Sequence, residues 1–410
     1  MESTTGGTRA AAATTDARPS TGAAEPPAES SRREVSAGAH FAALDGYRAL
    51  AAFMVVSTHI AFSTGAVTGS SLGHVLARFD FGVPLFFLMS GFLLYRPWAR
   101  AALEGRARPD LRRYAIRRAA RILPLYWLVV CATLLVVPEI RPVSSTVWWQ
   151  HLLAVQIYTG PGAVEGLTQT WSLCTEIAFY IALPVIGAVA LGRRGRAPRD
   201  PWRRQMRILG ALVTVAVVFN LAKFNNWGLP GNAGYWLPAY LDWFAAGMAL
   251  ALVEVRSHQP DRPALVRWVV ALGREQTATI VTGVAVFLVS TTPVAGAYDF
   301  NLTAPWESMI KHWLYLGAAA LLLIPGIFGG DRGVRSVMSS SWPHRAGLIS
   351  YGIFLWHLLL IRLIAPALGI AYFTGRGWLL ALVVFPATIA VASVTYLLVE
   401  RPAQRWAHRR

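Results

Sequence analysis

Residues 117–137 read Arg117-Arg118-Ala119-Ala120-Arg121-Ile122-Leu123-Pro124-Leu125-Tyr126-Trp127-Leu128-Val129-Val130-Cys131-Ala132-Thr133-Leu134-Leu135-Val136-Val137. Three arginines give way, after Arg121, to a run without a single charge. As a helix rising about 1.5 Å per residue, such a run can cross the roughly 30 Å hydrocarbon core of a bilayer. Working outward from this run at 122–138, similar apolar runs occur at 44–64, 80–97, 171–192 and 207–224. They recur at 235–253, 276–292, 308–328, 346–367 and 378–399. The expected fold is all-α, a polytopic membrane protein with about ten transmembrane helices. The connections alternate in charge. Those at 96–121, 193–207, 255–275 and 329–345, with the C-terminal residues from Arg401 onward, hold 27 arginines, whereas the opposite set holds only Arg78, Arg141, Lys311 and Arg376. Basic loops stay in the cytoplasm, so both termini are expected there.

The composition agrees. The chain of 410 residues is 55% hydrophobic and 14% charged, whereas a soluble surface needs nearer 25% charge. A net charge of +17 raises nucleic acid as a partner. The excess lies in short loops, however, while residues 1–40 hold four arginines against five acidic residues. The pattern therefore reads as membrane orientation, with the bilayer as a partner and no nucleic acid. Cys131 and Cys174 stand apart in apolar runs and offer neither a disulfide framework nor metal-ligand spacing, so no metal is expected. Nothing resembles a P-loop or a dinucleotide fingerprint.

Residues 1–40 are rich in Ala, Thr, Pro, Ser, Glu and Gly. They read as a disordered cytoplasmic N-terminal tail, leaving the first membrane helix as its own uncleaved signal. The membrane domain is expected over 41–402, followed by a short basic cytoplasmic tail at 403–410. Val147-Trp148-Trp149-Gln150-His151 and the segment Pro263–Gly273 have the character of interfacial helices.

Ionisable groups inside spans are costly, and each is a functional candidate. Arg48 and His59 of the first helix are eleven residues apart. They therefore share a face and are separated by about 16 Å, with Arg48 at the cytoplasmic mouth and His59 near the outer surface. Glu176 is expected at a depth similar to that of His59, where a carboxylate beside the imidazole would orient it and raise its basicity. Each could instead be a structural hydrogen-bonding group. Arg118 and Arg121 lie one turn apart at the cytoplasmic face, and their planar forks suit phosphate. Arg117 is read as a plain positive-inside residue. His357 lies mid-membrane as a second functional histidine or a helix–helix hydrogen bond. Glu400 and Arg401 are expected to pair locally, and an apolar setting argues against Cys174 as a nucleophile.

Taken in order, these residues resemble the acyltransferase-3 family of membrane-bound O-acyltransferases. Leu44-Asp45-Gly46-Tyr47-Arg48 through His59 is similar to its signature of an Arg and a His with ten residues between them. The run from Gly82 to Phe92 resembles its second helix, and Arg118 to Arg121 followed by Ile122-Leu123-Pro124-Leu125-Tyr126-Trp127 resembles its third. Trp171-Ser172-Leu173 with Glu176, Phe179-Tyr180 and Pro184 continues the likeness, as do Ser350-Tyr351-Gly352 with His357 and the closing Glu400-Arg401-Pro402. The likeness covers roughly residues 41–402, and the soluble esterase-like domain that often follows in the family is not expected here.

The resemblance implies a multi-pass protein of the bacterial plasma membrane, with acyl-CoA as donor substrate and no tightly bound cofactor. An acyl group, acetyl or short-chain, would pass to a hydroxyl of a carbohydrate, a glycolipid or a secondary metabolite such as a macrolide. Arg118 and Arg121 would hold the CoA phosphates, Arg48 would line the mouth, and His59 oriented by Glu176 would be the general base. Transfer through an acyl-enzyme on His59 or Cys174 is the mechanistic alternative. The rival from another class is a transporter or flippase of a glycan or lipid intermediate, against which the absence of internal repeats counts.

Overall fold

The computed structural model describes residues 41–160, 162–192, 199–225, 227–298 and 304–410, so the expected N-terminal tail lies outside the described residues. Among these residues there is no strand, and each of the ten expected apolar runs is a helix. They are α1 (Ala42–Thr64), α2 (Gly82–Leu103), α3 (Leu111–Val136), α4 (Thr170–Leu191), α5 (Pro201–Phe224), α6 (Leu241–Ser257), α7 (Gln276–Ser290), α8 (Pro305–Phe328), α9 (Ser341–Ala367) and α10 (Gly377–Thr395). Among the described residues eight segments are long and apolar enough to cross a membrane, those containing α2 to α6 and α8 to α10. The two exceptions have physical reasons. Asp45, Arg48 and His59 dilute the apolar character of α1, and α7 has only 15 residues.

Two helices begin well before their apolar runs. The Asp110 side chain accepts from the backbone N–H groups of Arg112 and Arg113 at 2.9 and 3.1 Å, capping α3 twelve residues ahead of Ile122. Asp200 caps α5 by accepting from Arg203 N–H at 2.9 Å, with Pro201 in the first turn. The first of these caps puts Arg118 and Arg121 on regular helix rather than on a loop. Short helices at Ser145–Leu152 and Ala264–Arg274 match the two expected interfacial segments. In the first of them His151 is fully buried, its Nε2 accepting the Val164 N–H at 3.2 Å, and burial pushes its pKa below the ordinary imidazole range. After α10 the chain passes through a single π-turn at Tyr396–Glu400 into a last helix, Arg401–His408.

Packing centres on α1, which contacts α2, α9 and α10, and on the pair α2 and α6. Without a hydrophobic drive between helices in lipid, close approach depends on small residues. Gly91 of α2 and Gly247 of α6 serve this need reciprocally. A Cβ at Gly91 would stand 2.3 Å from Phe244 O, and one at Gly247 would stand 2.0 Å from Leu88 O. Nearby, Arg96 donates to both carboxylate oxygens of Glu254 at 2.7 and 2.8 Å and ties the same two helices. Ile181, Val185, Leu382 and Leu398 face outward, as a lipid-contacting surface requires.

Because the obstacle at both glycines is backbone, neither Gly91→Ala nor Gly247→Ala can be relieved by a rotamer change. Each is expected to destabilise the protein by about 1–3 kcal/mol, seen as a lower midpoint of thermal unfolding in detergent. An unchanged midpoint in both variants would refute this packing.

Candidate active site

Four expected site residues line one cavity. Arg48, Arg118, Arg121 and Glu176 border a space of about 460 Å³ between α1, α2, α3, α4 and α9, together with Ser90, Tyr180, Phe86 and Phe354. Gln404 and His408 of the last helix close part of its basic rim. Arg118 and Arg121, one turn apart, are half-buried towards the cavity, while Arg117 is exposed at its edge. Arg48 bonds Asp45 at 3.0 Å. Among the described residues no carboxylate pairs with Arg117, Arg118 or Arg121. The cavity is thus cationic at one end and becomes apolar towards Phe86 and Phe354, whose rings pack edge to face at 6.0 Å.

Glu176 belongs to this cavity and is not hydrogen-bonded to His59. Its Oε1 accepts from Ser90 Oγ and from Tyr180 Oη, the latter at 2.6 Å. Depth along a helix did not specify which neighbour the carboxylate faces; the rotation of α4 turns it towards α2 and its own following turn.

His59 meets His357 instead. His59 Nδ1 lies 2.8 Å from Val55 O and 3.4 Å from His357 Nε2, with ring centroids 5.0 Å apart. A carbonyl can only accept, so Nδ1 of His59 carries the proton. His357 Nδ1 faces Ile353 O at 3.3 Å, which by the same rule leaves its Nε2 as an acceptor towards His59. The tautomer of His59 is thereby set with its Nε2 lone pair unused among the described residues, the state a general base needs. His357 is fully buried, and the Phe354 ring that borders the basic cavity lies 6.0 Å from its ring. The histidine pair therefore sits behind the aromatic pair at the apolar end of that cavity.

Two further expectations resolve simply. Glu400 is buried and Arg401 exposed, and among the described residues no ion pair joins them, because the π-turn rotates the carboxylate inward. Cys174 is buried in the core among Leu173, Phe179 and their neighbours.

Sequence reading passed over a second polar cluster. Asp80, Asp242, Lys311 and His312 line another cavity, of about 290 Å³, with Arg78, Asn220, Lys223, Tyr240, Trp171 and Trp243. It lies at the opposite ends of α2, α6 and α8 from the basic rim. Arg78 donates only to carbonyls here, among them Ser290 O at 2.8 Å and Ala295 O and Ala297 O at 3.0 Å. Asp242, one residue inside α6, and Lys311-His312, within α8, were legible as ionisable groups near helix ends; only their convergence across sequence distance was not.

The chain matches the family described as an acyltransferase domain over residues 41–397. Acyltransferase MdmB of Streptomyces mycarofaciens is 27% identical over 90% of this chain and 92% of the relative. Exopolysaccharide production protein ExoZ of Rhizobium meliloti is 24% identical over 81% and 92% respectively. Peptidoglycan O-acetyltransferase OatA of Listeria monocytogenes is 25% identical over 88% of this chain, which spans 55% of that relative. No solved structure matches significantly. With the family match running from the start of α1 through the end of α10, and with the Arg48–His59 helix, the Arg118–Arg121 turn and the Glu176 helix assembled in one bundle, the chain belongs to the acyltransferase-3 family and is a multi-pass membrane acyltransferase.

Proposed function

We propose that the protein moves an acyl group from acyl-CoA, bound at the cytoplasmic face, to a hydroxyl of a carbohydrate, glycolipid or secondary-metabolite acceptor. The observation that carries this reading is the cavity in which Arg118 and Arg121 lack carboxylate partners and face inward beside Arg48. Half-buried guanidinium groups that form no direct ion pair suit a polyanionic ligand, and the phosphates of CoA offer that charge at one end of a long, narrow chain. Glu176 holds the Ser90 and Tyr180 hydroxyls in the cavity wall and offsets part of the arginine charge. The pantetheine arm runs from this rim to the apolar end, where Phe86 and Phe354 separate the cavity from the histidine pair.

The chemistry balances on one base. The acceptor hydroxyl attacks the thioester carbonyl as His59 Nε2 takes its proton; collapse of the tetrahedral intermediate breaks the C–S bond, and the proton passes to the CoA thiolate. Val55 O and His357 Nε2 face the Nδ1–H throughout, so the ring keeps its orientation as it becomes imidazolium. The role expected of Glu176 as orienting partner passes to His357 in this scheme. The names of two relatives, one for peptidoglycan and one for exopolysaccharide, support a glycan-type acceptor.

Purified protein in vesicles is expected to cleave the thioester only when a hydroxyl acceptor is present; an acceptor that crosses the membrane with no thioester cleaved would favour a transporter and end this reading. His59→Ala should lower the transfer rate by about 10²–10⁴-fold without loss of folded protein, and undiminished turnover would remove His59 from the mechanism. Replacing Arg118 and Arg121 together by Ala should raise KM for acyl-CoA by about tenfold or more and leave KM for acceptor nearly unchanged. Equal effects on both substrates would mark the two arginines as structural.

A further inference from the structure

Lys311 and His312 are consecutive on α8, so their side chains leave the helix about 100° apart, and each reaches a carboxylate from a different part of the chain. Lys311 Nζ donates to Asp80 Oδ2 at 2.7 Å, and Asp80 Oδ1 accepts from Tyr315 Oη. His312 Nε2 lies 2.7 Å from Oδ2 of Asp242, whose Oδ1 accepts the Trp243 backbone N–H at 3.0 Å. Asp242 is 1% exposed. A buried carboxylate already accepting a backbone N–H fixes the imidazole proton on Nε2, which leaves a lone pair on Nδ1. The Trp243 indole stacks on the ring at 4.5 Å and holds its plane.

The Nδ1 atom has no hydrogen-bond partner among the described residues, although His312 lines the 290 Å³ cavity. Asn220 lines the same space. Its Nδ2 donates to Ala216 O and Ala239 O, both at 3.0 Å, so Oδ1 is left as an acceptor. Lys223 adds a donor, its Nζ resting 5.0 Å from the Phe224 ring with no carboxylate partner among the described residues. A brace between helices would need the Asp80–Lys311 and Asp242–His312 bonds alone. It would not need unspent acceptors and a donor around an open volume walled by Trp171, Tyr240 and Trp313. Hydroxyl groups donate and accept at once, and the C–H faces of a sugar ring rest against aromatic rings, so this lining complements a polyhydroxylated ring.

We propose that this cavity is the acceptor subsite, that it takes a glycosyl ring, and that His312 binds an acceptor hydroxyl through Nδ1 while Asp242 acts as the residue that positions His312. This assignment rests on the transferase reading above, but it involves no donor and can be tested without one.

The test is equilibrium binding of methyl β-D-glucopyranoside and methyl N-acetyl-β-D-glucosaminide to the full chain in lipid nanodiscs, followed by saturation-transfer NMR, with thermal unfolding measured in parallel. His312→Gln keeps an amide N–H able to reach Asp242 but has no counterpart of Nδ1. The wild type is expected to bind at least one glycoside, and H312Q to bind it about tenfold more weakly with an unchanged unfolding midpoint. Should H312Q fail to fold, Lys223→Met tests the same lining and is expected to weaken binding likewise. Absence of binding to the wild type overturns the assignment, as does wild-type affinity in H312Q or, in its place, in K223M. Thioester cleavage by the wild type, measured separately, reports on the transferase reading alone.

Discussion

A charge inside an apolar bundle has to be met by another group, since an unpaired ion costs far more than packing can return. That constraint arranges this protein. Arg96 and Glu254 meet two-pronged between α2 and α6, where Gly91 and Gly247 have already brought the backbones together. Arg78 spends its guanidinium on carbonyls at the end of α7 and just after it. Arg48, two turns into α1, bonds Asp45. Arg118 and Arg121 face a cavity that they share with Glu176, and among the described residues neither forms an ion pair with a carboxylate. An external anion is the partner that the same constraint calls for.

The two cavities divide the chemistry by helix end. The basic one is built where α3 enters and the last helix leaves, with the first half of α4 along its wall, and it becomes apolar towards Phe86 and Phe354. The other gathers carboxylates, lysines, an amide and an imidazole at the opposite ends of α2, α6 and α8. Val83 of α2 borders both, and Trp171 and Ser172, adjacent on α4, border one each. A donor held at one end and an acceptor at the other would approach each other through this short stretch of α2 and α4, with the His59–His357 pair on the flanking α1 and α9. Such an arrangement makes a membrane bundle useful for transfer, because the two substrates need not share one aqueous compartment.

Imidazole orientation shows how differently the same task can be met. His59 has a backbone carbonyl and a neutral histidine, and His312 has a buried carboxylate. A carboxylate beside an imidazole was the expectation for Glu176 and His59. That type of pair exists here, but between Asp242 and His312, while Glu176 serves Ser90 and Tyr180.

Hydrophobicity was enough to locate α1 to α10 among the described residues, since a long apolar run has few other destinies. Arg48, His59, Glu176, Arg118 and Arg121 were also legible, because an ionisable group in such a run is conspicuous for its cost. The helix starts at Asp110 and Asp200 lie outside the apolar runs, so apolar character does not mark them although the caps act there. Partners were not legible in any comparable way. Spacing along α1 and α4 gives only an expected depth, which is one coordinate, and the rotation of each helix about its axis comes from packing with neighbours distant in sequence. So the sequence by itself determined which long apolar segments are helical and which residues in them are chemically unusual. Only the tertiary structure decided that His59 faces His357, that Glu176 faces the arginine cavity and that Asp242 finds His312, because these contacts depend on where small residues such as Gly91 and Gly247 allow one helix to settle against another.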